Sequence, residues 1–322
     1  MTEDDETFAS ALDRAVPLAR RAPVMLETEG WGDYALLDSG NGEKLERYGN
    51  YRIVRPEAQA MWSPRRSPAE WERADARFTG IGEDEATEGG GGRWRYRELP
   101  TGKAIGETWR MSYDGVPFLG RFTNFRHVGV FPEQATHWDW MKRFLRPGQP
   151  AKILNLFAYT GVASLVAARA GAEVTHIDAS KKAIGWAREN QALGHLEELK
   201  IRWICEDAMK FVEREGRRGN RYDGIILDPP KFGRGPKGEV WDIFTDLKPL
   251  LAACAGLLSE RALFMILTVY SIRASFYSID ELMAECFAGH GGLIESGELV
   301  LNEQDSGRRL STSLFSRWAA HA

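Results

Sequence analysis

Four short stretches of this sequence carry residue types that could do chemistry together. "NLFAYTG" ends at Gly161, "HIDAS" holds Asp178, Ala179 and Ser180, "CEDAM" holds Asp207 and Ala208, and "LDPPKF" contains Asp228, Pro229, Pro230, Lys231 and Phe232. An ionised carboxylate only accepts hydrogen bonds, so Asp178 suits the vicinal hydroxyls of a ribose. It follows Gly161 at close to the spacing at which an acidic side chain meets such a sugar. Asp207 stands where an acceptor reaches the exocyclic amine of an adenine. The two prolines after Asp228 fix an extended loop without backbone donors and hold that carboxylate at a strand end, aimed at a substrate pocket. Plainer roles stand beside these. Asp178 or Ser180 can cap a helix beginning at Lys181, and Asp207 can cap the next one.

A dinucleotide site would place glycines in the first of these turns, as G-x-G-x-x-G, because the backbone must approach a pyrophosphate closely. Here Phe157 and Tyr159 occupy places where glycine is expected, and Gly161 remains. A cofactor without phosphates needs no such bare approach. S-adenosylmethionine, made of an adenosine, a sulfonium and an amino acid, is one. Four features in this order on four successive strand ends describe a methyltransferase. The missing glycines count against an NAD-dependent oxidoreductase.

The elements that must position these residues are legible as a change of grammar. Up to about residue 130 the chain is rich in tryptophan and broken by turn signals such as "DSGNGEK" and "LPTGK". Between them run short alternating stretches such as "YRIV" and "TWRMSYDG", the pattern of antiparallel hairpins. The glycine run at 89–92 reads as a loop tip. From residue 152 strand patterns at 152–157, 173–178, 200–205, 224–228 and 262–268 alternate with helix patterns at 162–170, 181–192, 208–213, 244–258 and 280–288. That predicts an α/β, Rossmann-like sheet, mostly parallel, with helices on both faces. Two last strands, 293–301 and 310–318, are separated only by "NEQDSGRR". With no room for a crossover helix, the seventh strand must be antiparallel. "THWDWMKRFLRPGQ" reads as a linking helix between a smaller β-rich domain, residues 1–130, and a catalytic domain, residues 131–322.

Bulk properties bound the rest. A chain of 322 residues, 43% hydrophobic and 27% charged, is an ordinary globular composition, with strand-length apolar runs and none of membrane-spanning length. The first residues are acidic and carry no apolar export signal. The three cysteines, Cys205, Cys254 and Cys286, match neither a metal spacing nor a paired disulfide framework, so a reducing cytoplasm is expected. A net charge of -4 counts against a nucleic-acid partner. Arg93, Arg95, Arg97, Lys103, Arg110, Arg121 and Arg126, set against Glu98, Glu107 and Asp114, nevertheless form a locally basic stretch, or else a solvated strand face.

Together "ILNLFAYTGVAS", "IDAS", "EDA" and "ILDPPKF" resemble the bacterial class I S-adenosylmethionine-dependent methyltransferases related to the large-subunit ribosomal RNA cytosine-5 and guanine-N7 enzymes. The resemblance runs from Phe131 to the C-terminus. It implies that "FPEQ", Phe131, Pro132, Glu133 and Gln134, lines the cofactor and that Phe157, Ala158, Tyr159, Thr160 and Gly161 wrap its methionine end. It likewise implies that Asp178 takes the ribose, Asp207 and Ala208 meet the adenine, and Asp228 and Pro229 border the methyl group. The N-terminal half resembles the small β domain with which such enzymes grip substrate. In one respect the chain departs from the family. Cytosine-5 chemistry needs a thiolate to add to the base, and the family places it after the fourth strand or at the end of the fifth. Here those places read "DPPKF" and "LTVYSIR", without cysteine.

The expectation is therefore transfer to a base nitrogen, with ribosomal RNA as partner and neither metal nor membrane. Asp228 would accept from a substrate N–H, while Phe232 or Tyr270 would stack on a flat ring. Lys231, and with it the loop "KFGRGPKGEVW", would hold a phosphate or simply form a mobile solvated loop. His127 and His137 receive no role. A small-molecule or protein methyltransferase, and a catalytically silent RNA-binding relative, are the competing readings.

Overall fold

A computed structural model describes residues 18–80, 92–98, 105–270, 272 and 274–320. Most of the glycine run at 89–92, and Lys103 of the basic stretch, lie outside the described residues. The chain enters along the edge of its largest sheet through β1 (Ala19–Arg20) and β2 (Val24–Thr28). It then builds a five-stranded sheet from β3 (Tyr34–Gly40), β4 (Glu43–Tyr48), β5 (Tyr51–Pro56), β6 (Ala76–Thr79) and β7 (Arg93–Tyr96), with a short helix α1 (Pro68–Glu72) between β5 and β6. A separate hairpin follows, β8 (Thr108–Tyr113) with β9 (Val116–Arg121). Turn chemistry drives these pairings. Asn41–Gly42 and Asp114–Gly115 join their strands with both residues at positive φ. That is the tight two-residue hairpin backbone that Asn-Gly and Asp-Gly adopt at least cost.

A single 3-10 turn, Pro132–Gln134, leads into α2 (Ala135–Lys142). Strand and helix then alternate through β10 (Lys152–Leu156), α3 (Val162–Arg169), β11 (Glu173–Asp178), α4 (Lys181–Leu193), β12 (Ile201–Cys205), α5 (Ala208–Arg217) and β13 (Gly224–Leu227). The stretch "KFGRGPKGEVW", read as a loop, contains a small antiparallel hairpin, β14 (Phe232–Arg234) with β15 (Val240–Asp242). After it come α6 (Ile243–Ala255), β16 (Phe264–Tyr270), α7 (Phe276–Phe287), β17 (Leu293–Asn302) and β18 (Arg309–Ala319). Helix α7 starts before the position read from its apolar pattern, because the Ser275 hydroxyl accepts from the Tyr277 amide and caps it there.

The large sheet runs β1-β17-β18-β16-β13-β10-β11-β12, with β2 also beside β17. Among the described residues it has nine strands rather than seven, because β1 and β2 lie parallel to β17 and extend that edge. Strand β18 is antiparallel to both β16 and β17. Strand order reverses between β10 and β13, which leaves a crevice beyond their carboxyl ends. The two faces of the sheet are packed separately. Along β16, Phe264 and Ile266 enter one core with α2, α3 and the aromatic side chains of the β-rich region, while Met265 and Leu267 enter the other with α5, α6 and α7. Trp31, Tyr113 and Trp138 join the β-rich region to α2, with ring centroids 5.2 Å and 4.9 Å apart across Tyr113. Among the described residues no helix is long and apolar enough to cross a membrane, and no group of three or more His, Cys, Asp or Glu side chains is placed to hold a metal ion.

Gly297 on β17 is where β2 approaches most closely. A Cβ there would lie 1.7 Å from the carbonyl oxygen of Val24. Gly297→Ala is expected to cost about 1–3 kcal/mol and to lower the thermal midpoint by several degrees in calorimetry. An unchanged midpoint would show that β2 is not seated against β17 at this point.

Candidate active site

The turn after β10 adopts the backbone of a glycine-rich loop while carrying side chains. Phe157 and Tyr159 have φ of 55° and 51°, and Gly161 follows at 82°. The left-handed conformation costs a residue with a Cβ about 1–2 kcal/mol, so something must hold it. That is Asp178 at the end of β11. Its Oδ2 accepts from the Tyr159 amide at 2.8 Å, and its Oδ1 accepts from the Ser180 amide at 2.8 Å. Burial raises the Asp178 carboxyl above its ordinary range, and these two amide donors pull it back. Ser180 is the cap of α4, accepting from Ala183, and Asp207 caps α5, accepting from Lys210. The capping roles of Ser180 and Asp207 therefore hold, and both residues also line the same cleft.

The cleft has a volume of about 400 Å3 and lies beyond the carboxyl ends of β10 to β13. Of the residues singled out from sequence, it is lined by Phe131, Glu133, Gln134, Phe157, Tyr159, Asp178, Ala179, Ser180, Asp207, Ala208, Asp228, Pro229, Pro230, Lys231, Phe232 and Tyr270. Ala158 and Thr160 line instead a smaller adjoining cavity of about 50 Å3, with Asn155 and His137. Pro132 and Gly161 line neither cavity. Gly161 serves the turn: a Cβ on it would meet Ala187 at 2.9 Å. The Thr160 hydroxyl donates to the Gly129 carbonyl at 2.6 Å and ties the loop to the segment before the 3-10 turn.

One end of the cleft gathers two carboxylates. Asp228 is half-buried just past β13, and Glu133 is buried within the 3-10 turn. Burial, and then the neighbouring Glu133 charge, push the Asp228 carboxyl up to about 7, against a hydrogen bond from Gln134 that works the other way. Burial likewise raises Glu133, while Lys44 and Arg55 oppose the shift. The Gln134 Nε2 donates to Asp228 Oδ2 at 3.0 Å. Gln134, which the family resemblance assigns to a cofactor, is thus spent partly on the protein's own carboxylate.

The wall opposite is aromatic and basic. Phe131 lies 4.7 Å from His127, 5.8 Å from Tyr159 and 6.3 Å from Tyr270, measured between ring centroids. Arg126 donates to the Tyr270 hydroxyl at 2.6 Å, and its guanidinium sits over that ring. Arg126, His127, Glu206, Trp241 and Ser313 also line the cleft and were not assigned from sequence. In the sequence His127 is a lone histidine with no local sign of a role. Arg126 stood in the basic stretch, without a sign that it turns inward. Other arginines of that stretch are engaged elsewhere: Arg97 with Asp75, and Arg121 with Glu189. Ser313 lies on β18 and reaches the cleft because β18 pairs with β16, a long-range fact with no local signal.

The β14–β15 hairpin closes the side nearest Asp207. The Trp241 indole donates to the Pro230 carbonyl at 2.7 Å, and its ring lies 5.0 Å from that of Phe157. Lys210 of α5 pairs with Glu239 of the connecting loop. The acceptor set suits an adenosine, whose ribose hydroxyls and exocyclic amine are donors. Asp178, Glu206 and Asp207 put three carboxylates around the ends of β11 and β12, where a phosphate would be repelled, whereas Arg126, Lys231 and Arg234 line the cleft elsewhere. None of the three cysteines lines it. Cys205 donates to the Ala179 carbonyl from outside, and Cys254 is buried among helices with its thiol pushed well up by that burial.

Comparison with known proteins gives the family. A family model described as Conserved hypothetical protein 95 matches residues 134–244. The crystal structure of an S-adenosylmethionine-dependent methyltransferase from Agrobacterium tumefaciens is 59% identical, covering 95% of this chain and 96% of that one, with a TM-score of 0.88. Ribosomal RNA large subunit methyltransferase K of Neisseria meningitidis is 26% identical over 77% of this chain and 68% of its own length. Ribosomal RNA large subunit methyltransferase K/L of Shewanella frigidimarina is 40% identical over 46% of this chain, which spans only 20% of that longer protein.

Asp178→Asn keeps the shape and size of the side chain but turns an NH2 toward one of the two amides that the carboxylate accepts from. It is expected to destabilise the protein by about 1–3 kcal/mol, read from urea unfolding. Stability equal to that of the parent would mean that the left-handed turn holds itself.

Proposed function

We propose that this chain, which belongs to the S-adenosylmethionine-dependent methyltransferases, methylates a nitrogen of a base in RNA, with ribosomal RNA the substrate class. The observation that carries the reading is Asp228. It is a carboxylate held at the end of β13 in a cleft that no cysteine lines, beside an aromatic and basic wall. A C5 target would need a thiolate there. A ring nitrogen with a free lone pair needs no such thiolate, and an amino nitrogen needs only an acceptor for its N–H and for the proton released as the C–N bond forms, a role for which Asp228 is the candidate. The names of the Neisseria and Shewanella relatives support RNA as the substrate class.

Within this reading Asp178, with Ala179 and Ser180, would hold the ribose, and Asp207 and Ala208 the adenine. The loop 157–161 would hold the methionine end, with Phe131 beside it. The bound cofactor supplies an electrophilic methyl group on sulfonium sulfur. The protein's own residues do the rest. Phe131, Phe232 and Tyr270 offer faces on which a flat base stacks. Arg126 and Lys231 bring positive charge to a neighbouring phosphate. Asp228 would accept from the acceptor N–H, which leaves the nitrogen lone pair free to attack, and would take up that proton as the C–N bond forms and the methyl–sulfur bond breaks to release S-adenosylhomocysteine. The β-rich region up to residue 130, which contributes Arg126 and His127 to the wall, is read as the part that grips substrate. A ribosomal substrate places the enzyme in the cytoplasm.

Methyl transfer from labelled S-adenosylmethionine into extract of a strain lacking this protein, with RNA, protein and small molecules separated, tests the substrate class. Label in RNA is expected. Label confined to another fraction would replace RNA by a small molecule or a side chain, a reading that the net charge of -4 favours. The role of Asp228 predicts a pH profile. Below about 7 the carboxyl is protonated and cannot take up the released proton, so kcat/KM should climb as pH rises through that value. Asp228→Asn should abolish the climb and lower kcat by about 10²-fold. A profile left intact by that substitution would remove Asp228 from the reaction.

A further inference from the structure

We propose that Gln134 and Thr268 are positioning residues for Asp228: the buried Thr268 hydroxyl holds the Gln134 amide so that its NH2 faces Asp228 Oδ2, which leaves Oδ1 for the methyl acceptor. This rests on the reading that Asp228 meets that acceptor. The three side chains come from three separate segments, the 3-10 turn, the end of β13 and the carboxyl end of β16. The Thr268 Oγ1 donates to Gln134 Oε1 at 3.2 Å, and Gln134 Nε2 donates to Asp228 Oδ2 at 3.0 Å. Thr268 is 1% exposed and Gln134 is 9% exposed. Thr268 sits within the apolar run "FMILTVY", where a hydroxyl costs free energy to bury unless it is bonded. It does not line the cleft, so its influence on the reaction passes through Gln134.

The arrangement has a chemical consequence. An amide oxygen satisfied by Thr268 leaves only the NH2 to face the carboxylate, and a donor in that place favours the ionised form of Asp228. The buried Glu133 works in the opposite direction. The relay therefore keeps Asp228 able to ionise near neutral pH beside a second carboxylate, and it fixes which oxygen remains for substrate. It also gives Gln134 a role besides any cofactor contact, since one N–H of Nε2 and one lone pair of Oε1 are engaged by the protein.

The test uses the full-length protein with 13C-labelled aspartate, the Asp228 resonance being assigned by its loss in Asp228→Asn. Thr268→Val has the shape of threonine without the hydroxyl, Thr268→Ser keeps the hydroxyl, and Gln134→Leu removes the amide. Thr268→Val and Gln134→Leu are expected to raise the Asp228 titration midpoint by about one pH unit, and Thr268→Ser to leave it in place. Near pH 7 such a shift cuts the ionised fraction about fivefold, so kcat/KM on RNA from the deletion strain should fall by that factor and recover at higher pH. The dissociation constant for S-adenosylmethionine, measured by calorimetry, should change by less than about threefold. A midpoint unmoved in both variants overturns the proposal, as does a cofactor affinity lost about tenfold with the midpoint unchanged, which would make Gln134 a cofactor contact. If the midpoint shifts while Asp228→Asn methylates at the parent rate, the relay stands and the assignment of Asp228 to the acceptor falls.

Discussion

The carboxylate of Asp178 is the point on which the cleft depends. It bonds the amide of Tyr159, in the turn after one strand, and the amide of Ser180, at the start of the helix after the next. Neighbouring parallel strands thus share one acceptor, and the turn between β10 and α3 is held in a conformation that two of its residues would not otherwise favour. The return on that strain is two aromatic walls. Glycines at 157 and 159 would relax the backbone but leave the cleft open. Phe157 instead meets Trp241 from the hairpin, and Tyr159 lies 6.0 Å from Trp186 and 5.8 Å from Phe131. A turn of dinucleotide-like backbone thereby carries two side chains where a pyrophosphate site needs bare backbone.

Behind the aromatic and basic wall lies a second constraint, a group of buried charges in the β-rich region. Glu46 is fully buried. Burial alone would raise its carboxyl, but Arg55 and Lys44 more than offset this and hold it at about 2. Arg55 meets it through two nitrogens, at 2.7 Å and 2.8 Å, and the hydroxyls of Tyr34 and Tyr48 donate to the same carboxylate. Such a group adds little net stability, yet removing one member strands the others' charge in a medium that cannot solvate it. Its placement gives it a use. Arg55 also donates to the carbonyl of Arg126, and Lys44 and Arg55 act on Glu133, so the cluster sets the backbone and the charge of the wall facing Asp228.

The β-rich region is also clamped from the far end of the chain. The turn between β17 and β18 reaches it through Glu303, which accepts from Ser39 at 2.6 Å, and through Arg308, which donates to the carbonyls of Ser39 and Ser63. The sequence "NEQDSGRR" reads as a hairpin turn and nothing more. Its polar residues are what fasten the five-stranded sheet to the edge of the large one. Together with β1 and β2 lying against β17, this makes the order of residues along the chain a poor guide to which parts pack together.

Local chemistry is what the sequence could reveal by itself. The alternation of apolar strands with capped helices, the Asn-Gly and Asp-Gly turns, and the acceptors Asp178, Asp207 and Asp228 at successive strand ends each depend on neighbours a few residues away. The absence of cysteine from the two places where a thiolate is needed is equally local, and so is the absence of glycine from the first turn. Tertiary structure decided the rest, because the deciding contacts join residues far apart in the chain. Gln134 faces Asp228 and Thr268 only after the 3-10 turn is laid across β13 and β16. Arg126 turns into the cleft through Tyr270. Glu133 becomes a buried partner of Asp228 because the β-rich sheet covers it. Desolvation and the juxtaposition of charges are properties of a packed interior, and no spacing along a single chain encodes them.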